Sequence, residues 1–93
     1  MVIGACSIEI HIPESNSLKS KRQILRRIKD RIKNRFNVSI AEVENNDLWQ
    51  RTTLGVAVVA NQGKYVNQLL SQVIEQLNKE SGVVVLDYHL EIL

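Results

Sequence analysis

Thr52-Thr53-Leu54-Gly55-Val56-Ala57-Val58-Val59-Ala60-Asn61 is apolar almost without interruption and rich in β-branched residues. Alternation puts Leu54, Val56, Val58 and Ala60 on one face of a strand, and Gly55, Ala57 and Val59 on the other. An almost continuous apolar run of this kind predicts a central strand covered on both sides.

The segments on either side supply the rest of that sheet and its cover. Val2 to Ile12 alternates, with Val2, Cys6, Ile8, Ile10 and Ile12 inward and Ile3, Ala5, Ser7, Glu9 and His11 outward. Pro13 to Asn16 is a turn. Val38 to Val43 reads as a short strand with Val38 and Ile40 inward, followed by a polar loop, Glu44 to Arg51. From Lys64 to Glu80, Val66, Leu69, Leu70, Val73, Ile74 and Leu77 recur at i, i+3, i+4 spacing, the mark of a helix packed on one side. Ser81-Gly82 turns into a last strand, Val83 to Leu93, with Val84, Leu86, Tyr88, Leu90 and Ile92 expected inward and Val83, Val85, Asp87, His89 and Glu91 outward.

Between the first two strands lies Ser17 to Phe36, SLKSKRQILRRIKDRIKNRF. Leu18, Ile24, Leu25, Ile28, Ile32 and Phe36 fall on an arc roughly 120° wide, so the segment is a core-packed helix about 27 Å long. Ser17 is the expected N-cap, and Asn37 the residue expected to end the helix in a left-handed turn. The order βαββαβ then predicts an α+β, ferredoxin-like sandwich: a four-stranded antiparallel sheet of order 4-1-3-2, with both helices on one face. Ninety-three residues suffice for one such domain, residues 1–93.

Charge is concentrated in that first helix. Residues 17–36 hold nine basic side chains and one acid, net +8, while the other 73 residues hold three basic and nine acidic groups, net −6. Lys19, Arg22, Arg26, Lys29 and Lys33 fall within about 80° of one another and form a ridge. A solvated helix face usually interleaves signs; this one sets like charges at 22/26, 29/33, 27/31 and 31/35, and places cations in the first turn against the macrodipole. Repeated breaches of local rules in one place point to a functional demand, here an anionic partner. Lys21 falls inside the apolar arc, where its stem is expected to pack while the amine snorkels out; a phosphate or carboxylate ligand beside Arg22 is the alternative. Trp49 and Arg51 put an aromatic and a cation in one loop, able to stack on bases or grip phosphate, unless Trp49 plugs the sheet end.

RNA-recognition domains share the βαββαβ order but carry aromatic rings on the third strand. Here that stretch, Leu54 to Val59, has none, so any nucleic-acid contact is expected at the helix ridge and the Trp49 loop, to backbone rather than base. The uncovered sheet face is expected to present Ile3, Ala5, Ala41, Val43, Ala57, Val59, Val83 and Val85, an apolar patch suited to self-association.

Little points to catalysis. A His–carboxylate cluster of Glu9, His11, Asp87 and His89 is geometrically possible but lacks metal-ligand spacing. No glycine-rich phosphate loop occurs, and Cys6 alternates with core residues as a buried thiol would. No cofactor, metal or catalytic residue is expected. A lone cysteine suits a reducing, cytoplasmic compartment, and the N-terminus reads as a strand, neither signal peptide nor membrane span.

Three segments carry a further likeness: Ser17-Leu18-Lys19-x-Lys21-Arg22, Arg35 to Val43 (RFNVSIAEV), and Asp47 to Ala60 (DLWQRTTLGVAVVA). Through them the chain resembles the YlxP-like family of short bacterial proteins. The resemblance implies a ferredoxin-like fold, and the family's gene neighbourhood, near translation-initiation and ribosome-maturation genes, implies a link to ribosomes or RNA. It brings no catalytic residue. Lys19, Lys21, Arg22, Trp49, Gln50 and Arg51 match its motifs. Together these readings lead to the expectation of a non-catalytic RNA- or ribosome-associated protein that meets phosphates through its first helix. The alternative is a homo-oligomeric adaptor acting through the apolar sheet face.

Overall fold

The computed structural model describes all residues, 1–93. Its elements run β1 (Val2–His11), α1 (Leu18–Arg35), β2 (Ser39–Glu44), β3 (Arg51–Ala60), α2 (Gly63–Lys79) and β4 (Val84–Ile92). The sheet order is β2-β3-β1-β4, the expected 4-1-3-2 read from the other edge, and every pairing is antiparallel. β1 and β3 pair along their whole length, from Val2 opposite Ala60 to His11 opposite Arg51. No helix is long and apolar enough to cross a membrane.

One face of the sheet carries both helices. Cys6, Ile8, Ile10, Ile40, Leu54, Val56 and Val58 are buried beneath Leu25, Ile28, Ile32 and Phe36 of the first helical segment and six apolar residues of α2. α2 lies over β1, β3 and β4, while α1 lies over β2. The approach of α2 is close enough to require a glycine: a Cβ at Gly4 would sit 2.1 Å from Val66 Cγ1. Ser17 caps α1 as its position predicts, its Oγ accepting from Ser20 N–H at 3.0 Å. Asn37 does not end the helix in a left-handed turn; Phe36 leaves it in extended backbone, and the one non-glycine residue with positive φ is Asn45, φ 63°, in the β2–β3 loop. Asn45 tolerates that region because its short amide bonds locally, here to Thr53 Oγ1.

β4 departs from simple alternation. Ile10 pairs with Val85 but Glu9 pairs with Asp87, so Leu86 is an inserted residue, a β-bulge. One extra residue exchanges the two faces on either side of it. Val83 is consequently buried in the core and Val85 packs against it, whereas Val84 is exposed. The expectation that Val83 and Val85 lie on the open face is therefore corrected. Tyr88 and Leu90 keep the inward register as partners of Ile8 and Cys6, although Tyr88, on an edge strand, remains half exposed.

Candidate nucleic-acid interface

The nine cations of α1 fall into three groups with different fates. Lys21 is buried, and its Nζ lies 2.7 Å from Glu42 Oε2 and donates to the Asn45 carbonyl at 2.6 Å. The same Glu42 oxygen accepts from Thr52 Oγ1 at 2.6 Å. Lys21 therefore neither snorkels nor offers a phosphate ligand, and its place among the anion-binding candidates is corrected. A buried ammonium persists only when paired and hydrogen-bonded, and this network meets both conditions.

Arg27, Arg31 and Arg35 turn toward α2 and the turn that follows it. Arg31 Nη1 meets Glu80 Oε2 at 2.6 Å, Arg35 donates to the Gln76 side-chain carbonyl, and Arg27 donates to the Ser81 carbonyl at 3.4 Å. Glu80 is itself buried, so Arg31 compensates a carboxylate inside the protein.

The third group is the expected ridge. Lys19, Arg22, Arg26 and Lys33 are exposed and Lys29 half-buried, and none of the five makes an ion pair or a side-chain hydrogen bond within the chain. Arg22, Arg26, Lys29 and Lys33 line a single open cleft between α1 and β2, with Leu25, Asp30 and Glu42. Glu42 contributes little negative field there because Lys21 neutralises it.

Trp49 and Arg51 are not brought together with one another. Trp49 is 55% exposed, so it is no plug over the sheet end. Arg51 opens β3 on the uncovered face, where its Nη2 lies 3.3 Å from Glu9 Oε2, away from the α1 ridge. Gln50, between them, is a brace: its Nε2 donates to the Pro13 and Ser15 carbonyls, while its own carbonyl accepts from Ile12 N–H and faces His11 Nδ1.

On the uncovered face, Ile3, Ala5, Ala41, Val43, Ala57 and Val59 gather as expected, joined by Gly55. A shallow hollow of about 400 Å³ opens between Ala5, Ser39, Ala41, Val43, Gly55 and Ala57. Val43 and Val59 stand proud of it, 54% and 62% exposed. The His–carboxylate candidates do not converge. Glu9 is opposite Asp87, His89 is opposite Ser7, and the bulge sets His11 opposite Val84; no group of three or more such side chains is close enough to hold a metal ion. Burial raises the Cys6 thiol pKa above its ordinary value, which suppresses the nucleophilic thiolate.

A four-stranded 4-1-3-2 sheet with two helices on one face defines a ferredoxin-like α+β sandwich, here with a free cationic ridge on its first helix. The fold is similar to the designed protein Foldit4 (TM-score 0.55, 9% identity, covering 100% of this chain and 97% of that one). It is likewise similar to a de novo designed protein with ferredoxin fold, LFR1 1 (TM-score 0.55, 14% identity, covering 100% and 84%). In sequence, the chain belongs to the DUF503 family, described as "Protein of unknown function", whose model matches residues 3–90. It is 41% identical over 73 residues to "Uncharacterized protein YlxP" of Bacillus subtilis (strain 168), covering 78% of this chain and 79% of that protein. The likeness drawn from the DLWQR-TTLGVAVVA stretch is thus borne out.

Proposed function

We propose that this protein is a non-catalytic RNA- or ribosome-associated binding protein whose α1 ridge contacts phosphates. One observation supports the reading above others. Of nine cations on one helix, four are used inside the protein, and the five left without partners are those that share a flank. Unpartnered like charges three and four residues apart cost helix stability by a few tenths of a kcal/mol per pair, and an external polyanion offsets that cost. Each neutralised phosphate adds roughly 0.7 to 0.9 to the slope of log affinity against log salt, so five contacts give a slope of about −3.5 to −4.5. Co-sedimentation with ribosomal subunits and structured RNA across a salt series tests this. Steep salt dependence in the wild type is the expected result; absence of binding at low salt overturns the reading.

The hollow on the uncovered face favours a second reading, a homo-oligomer formed through that face. The small residues Ala5 and Ala57 make a depression walled by Val43, which lies over Gly55, while Val59 projects nearby, so one patch holds both knob and hole. Self-complementarity of that kind is what a two-fold interface requires. A dimer in sedimentation, lost on Val59→Asp, is the expected result; a monomer at all concentrations removes it.

A further inference from the structure

We infer that Trp49 is a stacking platform for one unpaired nucleobase, so that the RNA taken by the α1 ridge is single-stranded where it passes the β2–β3 loop. The inference rests on the ridge reading above. Its starting point is that the loop is shaped by polar pins and not by its aromatic residue. Gln50 Nε2 is fixed to the Pro13 and Ser15 carbonyls at 3.1 and 3.2 Å, and Gln50 O takes the Ile12 N–H at 2.8 Å. Leu48 N–H donates to the Asn45 carbonyl at 3.1 Å, and Asn45 Nδ2 to Thr53 Oγ1 at 3.0 Å. The loop is held at both ends and at its turn, yet the indole stays 55% exposed. A large ring presented on a braced loop loses little freedom on contact, which is the property of a preorganised platform.

Location connects the platform to the ridge. Lys21, in the first turn of α1, donates to the Asn45 carbonyl at 2.6 Å, so this loop adjoins the helix end that bears Lys19 and Arg22. From Lys19 to Lys33 the ridge runs 14 residues away from it, about 21 Å. The loop holds Asp47 and is preceded by Glu44, the last residue of β2, and Arg51 at its other end is engaged by Glu9. It therefore repels phosphate and accepts the uncharged face of a base, while the adjoining ridge takes the backbone. A paired base has its faces closed by its neighbours in the stack; an unpaired one is free to stack on an aromatic side chain.

Trp49 is the only tryptophan, so its fluorescence reports on this loop alone. The experiment titrates the protein at low salt with a 12-nucleotide oligouridine and with a 12-base-pair RNA duplex, following tryptophan emission. Fluorescently labelled RNA measures affinity for the wild type, Trp49→Ala and Trp49→Phe. The expected results are quenching by the single strand only, and a roughly 5- to 150-fold loss of single-strand affinity in Trp49→Ala. Trp49→Phe should restore much of it, with duplex affinity and salt slope unchanged. Steep salt-dependent binding without quenching, and with Trp49→Ala equal to wild type, overturns the platform and leaves the ridge standing. No binding of either RNA overturns both. If Trp49→Ala keeps its RNA affinity but loses self-association, Trp49 is a protein contact and the platform falls.

Discussion

Lys21 Nζ and Glu42 Oε2 stand 2.7 Å apart at the junction of α1 with β2, the lysine side chain 1% exposed and the carboxylate 17%. Removing one partner strands the other. Lys21→Ala is expected to destabilise the fold by about 3 to 5 kcal/mol, because Glu42 is left with Thr52 alone. The double change Lys21→Met, Glu42→Leu removes both charges and should recover most of that loss. Urea unfolding of the two variants and the wild type decides it; a mild Lys21→Ala would mean that water reaches Glu42 readily.

Gly4 provides a packing test remote from any charge. A methyl group there meets Val66 Cγ1 at 2.1 Å and Leu70 Cδ1 at 3.2 Å, so the buried Val66 side chain or α2 itself must shift. Gly4→Ala is expected to cost about 1 to 3 kcal/mol by overpacking. Thermal or urea unfolding measures it, and an unchanged midpoint would show that this shift costs little.

The two cationic flanks of α1 should separate cleanly in binding and stability. Arg22→Glu, Arg26→Glu and Lys29→Glu together remove three free charges, and the salt slope should flatten by at least about 2.1 to 2.7 with little change in stability. Arg31→Ala should do the reverse, costing on the order of 1 to 3 kcal/mol through the buried Glu80 carboxylate while RNA affinity changes little. Equal binding losses from both flanks would refute the division.

Alkali should weaken the fold through Cys6. Its thiol ionises at an ordinary value of 9.0 when unfolded and higher when buried, so above that pH the unfolded state binds fewer protons than the folded one. Stability is unaffected by this group below about pH 9 and falls as pH rises beyond it, until the folded thiol also ionises. Cys6→Ala should flatten the alkaline limb of a stability–pH profile, and the native thiol should resist alkylation at pH 8.

Much of this architecture was legible because periodicity reports burial. The α2 stripe, the α1 arc and the inward face of β3 matched their buried faces, whereas the outward face of β3 is not covered: Ala57 and Val59 are exposed because both helices lie on the other side of the sheet. What escaped was register and pairing. Nothing local in Val83 to Leu86 marks Leu86 as an inserted residue, since both alternations through that run are apolar; pairing with β1 selects between them. The Lys21–Glu42 pair did leave a trace. Lys21 falls within the apolar arc, and Glu42 continues the inward alternation of Val38 and Ile40, so opposite charges occupied two core positions that only the fold could join. The ridge was readable as a flank, but which α1 cations were free depended on where α2 lay.

The split of charge also has a kinetic meaning. With a net +8 on one 20-residue segment and −6 over the remainder, the molecule is a strong electric dipole although its total charge is only +2. A polyanion nearing the ridge is drawn in, whereas one nearing the opposite layer meets Asp87 and Glu91 on β4 and is turned away. Such a field rotates the protein before contact, raising the fraction of collisions that arrive the right way round. The advantage fades once added salt shortens the screening length to a few ångströms.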